Sequence, residues 1–216
     1  MNVLELHAGS RSIGKVAEFL GMNVFSVDWT NYENIDLVID IEKIQPSDIP
    51  FIPDIIWTSP DCTTYSIAGI SHHRNGTIPT SDYAKKCDRV NFNQINLIAY
   101  YLKINPNLKF FIENPRGMMR KMPFVKGIDR VTVWYCQYGD DRAKPTDIFT
   151  NHLYSLFNPD GWIPRYECHN GNTKCHHELA PRGSKTGTQG KKDSYNRSKI
   201  PSELCIEILN SIIVKQ

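Results

Sequence analysis

No apolar run in this 216-residue chain approaches the ~20 residues that a helix needs to cross a bilayer. The opening Met-Asn-Val-Leu-Glu-Leu-His has neither a basic segment nor a long apolar stretch, so no secretory signal is expected. Cysteine is too sparse for a disulfide framework. Six residues, at 62, 87, 136, 168, 175 and 205, lie scattered through a chain large enough to fold without covalent staples, and they read as reduced thiols of an intracellular protein. The first apolar segment is not followed by a complete G-x-G-x-x-G, which argues against a nicotinamide-dependent enzyme. Internal repeats are absent. What remains, 40% hydrophobic and 11% aromatic residues, suits one α/β domain with an ordinary core.

The net charge is only +2, but it is unevenly spread. Residues 1–60 contain three Lys/Arg against nine Asp/Glu, whereas residues 165–199 contain eight against three. The acidic end suits a small cofactor with hydroxyls and a cationic centre, and the basic end a polyanion; ordinary variation of surface charge is the alternative.

Along the chain, Val3–His7 reads as a strand, residues 8–12 as a tight turn and Ile13–Leu20 as a helix. Short apolar strands follow at Val24–Val27, Leu37–Ile41 and Asp54–Thr58. Ser81 or Asp82 is placed to cap a long helix reaching about Leu102, with Val90, Ile95, Ile98, Ala99 and Leu102 on its inner face. Phe110–Ile112 is a further strand after a polar loop at 71–80. Val131–Tyr135 and Ile148–Thr150 are expected to pair antiparallel around Gly139. A final helix is expected from Ile200-Pro201 to about Val214. Strands alternating with helices imply a mostly parallel sheet covered on both faces, with ligands at the carboxyl ends of the strands. Residues 158–199, rich in Gly, Lys, Asn, Ser and His, read as a small polar insert between a domain at 1–157 and the helix at 200–216.

Several residues carry candidate chemistry. Gly9 in the first turn permits close backbone approach by a nucleotide-like cofactor, and Asp28 stands where a carboxylate accepts ribose hydroxyls or simply caps a strand. Cys62 follows a buried strand in Ser59-Pro60-Asp61-Cys62-Thr63; it is a nucleophile if its thiolate is favoured, or an inert buried thiol. Glu113 follows another hydrophobic strand and is placed to share a proton with a ring nitrogen. Arg142 and Lys144, read as alternating along a strand, suit holding a phosphate or orienting Glu113.

The ordered set Leu4-Glu5-Leu6-His7-Ala8-Gly9, Asp28, Asp40, Pro60-Asp61-Cys62, Glu113-Asn114 and Arg142-Ala143-Lys144 resembles the cytosine-C5 DNA methyltransferases, closest to the short phage or prophage type. The resemblance covers roughly residues 1–150 and the last helix. It implies a Rossmann-like methyltransferase fold and S-adenosylmethionine held by Glu5, His7, Ala8, Gly9, Ser10, Asp28, Trp29, Asp40, Ile41 and Pro60. It further implies Cys62 as the nucleophile, Glu113 acting at cytosine N3, and Arg142 with Lys144 and Asn114 beside a base flipped out of the duplex. It suggests a cytoplasmic protein of a bacterial or phage-infected cell, serving DNA methylation in restriction-modification. The family usually has Pro before this Cys and Gln after it; here Asp61 and Thr63 stand there, and a neighbouring carboxylate raises a thiol pKa unless it is paired or turned away.

Little chain is left for a target-recognition domain, which leaves room for a partner that supplies specificity. The insert carries Cys168, Cys175 and His176, a Cys/His density suited to structural Zn2+ or else a basic, His-rich loop without metal. Arg182 and Lys185 lie in a Gly- and hydroxyl-rich basic stretch suited to phosphate contacts, or in a merely flexible loop. The expected activity is cytosine-C5 methylation of DNA. The same chemistry on RNA is the nearest rival, followed by a catalytically inactive DNA-binding or partner module.

Overall fold

A computed structural model describes residues 1–178 and 194–213. Seven strands form one sheet: β1 Asn2–Leu6, β2 Asn23–Asp28, β3 Leu37–Val38, β4 Ile55–Thr58, and then, beyond a small hairpin of β5 Arg74–Asn75 and β6 Ile78–Pro79, β7 Lys109–Pro115, β8 Arg130–Trp134 and β9 Pro145–Thr150. Their order is β3-β2-β1-β4-β7-β9-β8. The first five in that row run parallel, and β9 enters antiparallel to both β7 and β8. The expected α/β class with a mostly parallel sheet is what forms, including the antiparallel pair at the far edge.

Alternation along the strands sorts the core into two faces. Leu4, Leu6, Ile56, Phe110 and Ile112 pack on one side beneath the long helix α3, Asp82–Ile104, with α2, Ile70–His73, a short turn ahead of it. Val3, Ile55, Trp57 and Phe111 pack on the other beneath α1, Ser12–Phe19, and the C-terminal helix α5, Ser202–Ile213. The short helix α4, Ser194–Ser198, leads into α5. No helix among the described residues is long and apolar enough to cross a membrane.

Ser81 caps α3 by accepting a hydrogen bond from the Ala84 amide at 3.1 Å, as its residue type suggests. The buried stripe of α3 departs from the expected one, however. Ala99 is exposed, while Asn91 and Gln94 are buried, because the helix lies over polar groups rather than only over leucines. Gln94 accepts from the Thr58 hydroxyl at 2.6 Å and Asn91 donates to the Tyr65 hydroxyl at 3.0 Å. The segment expected to be a polar loop at 71–80 contains α2 and the hairpin instead. Arg142 and Lys144 lie in the loop before β9, not on a strand.

Candidate active site

The turn after β1 is tightly wound, with His7, Gly9 and Arg11 all at positive φ (55°, 47° and 54°). It is held by Asp28 at the end of β2, whose carboxylate accepts from the Gly9 amide at 3.0 Å and the Thr30 amide at 2.8 Å. The Ala8 amide donates to Val27 O, and the Ser10 and Ser12 hydroxyls share a hydrogen bond. A cleft opens beside this turn, lined by His7, Trp29, Asp40, Ile41, Pro60 and residues of α3. Trp29 presents an exposed ring, and Lys86 reaches across it to Asp40 at 2.7 Å. His7 Nε2 is buried without a hydrogen-bond partner among the described residues. Burial lowers the His7 pKa, opposed chiefly by the nearby Asp28 charge, so its ring is neutral.

Glu5, expected among these residues, does not join them. It shares a sheet face with Val3, and its carboxylate lies under α1, accepting from the Ile13 amide at 3.2 Å and the Ser26 hydroxyl at 3.0 Å. Gly14 makes that approach possible, since a Cβ there would stand 2.5 Å from Glu5 Oε2. Alternation along β1 is the reason: only even-numbered residues of this strand face α3.

β4 and β7 are neighbours in register, Thr58 opposite Ile112, so the loop carrying Cys62 and the strand end carrying Glu113 emerge side by side. Asn114 Nδ2 donates to Pro60 O at 3.0 Å, and the Met118 amide donates to Tyr65 O at 2.7 Å, stitching the two segments together. Gly117 allows the contact, because a Cβ on it would come within 2.4 Å of Tyr65 O. Asn114 Oδ1 is buried with no partner among the described residues. The loop is also braced from behind by Arg74, which donates to Thr64 O at 2.9 Å, pairs with Asp88 at 2.6 Å and lies over the Tyr65 ring. Nothing in the sequence singled out Arg74 or Asp88, since both stand in segments without a motif.

Cys62, Glu113 and Lys144 form one electrostatic unit. Burial pushes the Cys62 thiol up to about 11; Lys144 lowers it, while Asp61 and Glu113 raise it. Asp61 is paired, accepting from the Thr63 amide at 2.6 Å and the Tyr83 hydroxyl at 2.5 Å, yet its charge still opposes the thiolate. Glu113 accepts from the buried Tyr135 hydroxyl at 2.9 Å and lies 4.0 Å from Lys144 Nζ. Burial lowers the Lys144 pKa, with Glu113 the first of the groups opposing that shift. Lys144 Nζ also donates to Arg197 O at 3.1 Å and lies 4.5 Å from the centre of the Tyr135 ring. Arg142, by contrast, is only 1% exposed and fully engaged: its guanidinium pairs with Asp140 and donates to Arg197 O and Lys199 O. It borders a larger cavity of about 600 Å3 toward α5, which neither Cys62 nor Glu113 lines.

The Cys/His cluster is present but differs from the expected set. Cys136, Cys168, Cys175 and His177 bring one donor atom each to within 4.8 Å of one another. His176 is not among them; its Nε2 bonds Asp140 O at 3.2 Å from an exposed position. Cys136 was missed because 31 residues separate it from Cys168 in sequence. Arg182 and Lys185 lie outside the described residues.

No protein-family model matches the chain, and no curated protein matches it. Among solved structures it is similar to a DNA modification methyltransferase encoded within an E. coli prophage, at 16% identity over 69% of this chain and 46% of that one, with a TM-score of 0.49. It is similar also to a mutant of DNMT2 from Spodoptera frugiperda, at 18% identity over 76% of this chain and 55% of that one (TM-score 0.48). For the Dnmt2 methyltransferase of S. pombe the values are 15%, 69%, 48% and 0.43. The chain spans about half the length of each.

Proposed function

We propose that this chain transfers a methyl group to C5 of cytosine in DNA through a covalent bond between Cys62 and C6 of the base. The observation that carries the reading is the convergence of Cys62, Glu113 and Lys144 at the carboxyl ends of two adjacent parallel strands, beside a cleft with unfilled polar capacity.

The cleft fits S-adenosylmethionine on the structure's own terms. The exposed Trp29 ring offers a stacking face, Ile41 and Pro60 offer apolar walls, and His7 Nε2, without a partner among the described residues, offers a hydrogen bond. Asp28 holds the turn through Gly9 and keeps lone pairs for ribose hydroxyls. When bound, this cofactor supplies an electrophilic methyl group.

Cytosine C5 is a poor nucleophile, so the residues must first place electron density on it. The Cys62 thiolate adds to C6 while Glu113 gives N3 a proton, turning the ring into an enamine nucleophilic at C5. After methylation, water takes the C5 proton; the electron pair left at C5 reforms the C5–C6 double bond and expels Cys62 as thiolate, while N3 returns its proton to Glu113. A proton on Glu113 removes one of the two carboxylate charges that oppose the thiolate. The attacking anion and the N3 donor therefore favour each other, and Lys144 acts electrostatically on both. Asn114 Oδ1, without a partner among the described residues, accepts from the cytosine amino group. Arg142 takes a positioning part, tying the 139–144 loop to the chain leading into α5. In this reading residues 1–157 are the catalytic unit, 158–199 a reduced recognition insert and 200–216 a helix closing the fold.

The test is transfer of tritiated methyl from S-adenosylmethionine to unmethylated duplex DNA and, in parallel, to bulk tRNA. Label in DNA that disappears with Cys62→Ala supports the proposal. Label in tRNA alone keeps the chemistry and overturns the substrate, whereas an undiminished rate in Cys62→Ala rules out the covalent scheme.

A further inference from the structure

We propose that Cys136, Cys168, Cys175 and His177 bind one Zn2+ ion, which fastens the polar segment at 168–177 to the turn that follows β8. The inference rests on these four residues and their neighbours, and not on the methyl-transfer reading.

Three thiols and one imidazole nitrogen all lie within 4.8 Å of one another, in a chain whose cysteines are all free. A tetrahedral zinc with three sulfurs and one nitrogen has edges of about 3.8 Å between sulfurs and about 3.6 Å from sulfur to nitrogen, given its bond lengths. The Cys168 Sγ to His177 Nδ1 distance is 3.8 Å. The imidazole already has the tautomer a metal needs. His177 Nε2 lies 3.4 Å from Asn170 O, a group that can only accept, so Nε2 carries the proton and Nδ1 turns its lone pair toward the sulfurs.

Side-chain amide donors face all three sulfurs. Asn172 Nδ2 donates to Cys168 Sγ at 3.4 Å, and Gln137 Nε2 lies 3.8 Å from Cys136 Sγ and 3.9 Å from Cys175 Sγ. Two successive turns, Asn172 N to His169 O and Cys175 N to Asn172 O, fold the six residues between Cys168 and Cys175 back on themselves, so the two sulfurs meet. Cys136 lies in the 3-10 turn Tyr135–Tyr138, joined directly to β8, and is packed with Trp134, Ala143 and Cys168. The metal would therefore join a segment lacking large apolar residues to the rigid sheet, where hydrophobic packing cannot. Binding releases the thiol protons as three S–Zn bonds form. The Glu178 amide donates to Asp141 O at 2.8 Å, so the same module rests on the loop that carries Arg142 and Lys144.

The experiment is metal analysis by mass spectrometry on the full chain, purified under reducing conditions with zinc supplied. One zinc per chain is expected, lost in Cys136→Ala and in His177→Ala and kept in His176→Ala. Gln137→Ala should weaken zinc binding by about 10–100-fold, as loss of an outer hydrogen bond does. If the ligand variants fail to fold, cobalt substitution of the wild-type protein gives an independent readout: tetrahedral thiolate bands are expected. Absence of stoichiometric metal with all thiols reduced would overturn the proposal. So would a disulfide between any two of the three cysteines, or retention of zinc in Cys136→Ala.

Discussion

At the scale of single residues, Cys62 is poised between a medium that disfavours its anion and one cation that supports it. With the thiol pushed up to about 11, the free protein at neutral pH holds almost no thiolate, so the proposed attack on a base would depend on the charges around Cys62 changing when substrate binds. Alkylation of Cys62 by iodoacetamide, followed by peptide mass mapping, should accelerate up to about pH 11. Lys144→Met should shift the profile further upward, because it removes the group that lowers the pKa. An alkylation midpoint near the ordinary thiol value, unmoved in Lys144→Met, would show that this coupling is absent. Cys62 and Glu113 were legible in the sequence because each follows an apolar strand. Their partners were not. Tyr135, Tyr83 and Arg74 reach the site through folding alone, and the choice of His177 over His176 is a question of which way two adjacent side chains point.

At the scale of elements, β1 carries a buried carboxylate beneath the start of α1, with a measurable pH signature. Burial raises Glu5 from 4.5 to about 7, against the opposing pull of the Gly14 amide, the Ser26 hydroxyl and Arg11. Between those two values the folded chain keeps a proton that the unfolded chain has lost, so stability falls as pH rises from about 4.5 to about 7. The loss is about 3 kcal/mol at ~1.4 kcal/mol per unit. Urea titrations across that range should show the slope in the wild type and its loss in Glu5→Gln.

A second element-scale prediction concerns the brace behind the Cys62 loop. Arg74 and Asp88 form a buried pair with side-chain exposures of 0% and 13%, so removing one partner strands a buried charge. Asp88→Ala should lower unfolding stability by about 3–5 kcal/mol, measured by denaturant titration. Long or strongly periodic elements such as α3 and α5 were readable to within a few residues. The hairpin at 74–79 was not, because two-residue strands leave no periodic signal, and Ala99 was misplaced because α3 buries polar residues toward Tyr65 and Thr58.

At the scale of the whole molecule, a mostly parallel sheet with one antiparallel pair followed from alternating strands and helices and from the Gly139 turn, but the strand order did not. Which loops meet above the sheet did not, since that depends on register and on contacts such as Asn114 with Pro60. The charge asymmetry also acts at this scale. Net positive charge over residues 165–199 should make DNA binding depend on salt. Replacing Arg182 and Lys185 together by Ala should weaken binding across sequences alike and reduce the log–log salt slope by about 2, read by fluorescence anisotropy at several salt concentrations.

The most direct test of the central claim is covalent trapping. Incubated with S-adenosylmethionine and a duplex containing 5-fluorocytosine, the protein should form an adduct stable to denaturation, with the modified peptide mapping to Cys62 and no adduct from Cys62→Ala. An adduct at another cysteine, or turnover of DNA with none formed, would contradict the assignment of Cys62 as the nucleophile.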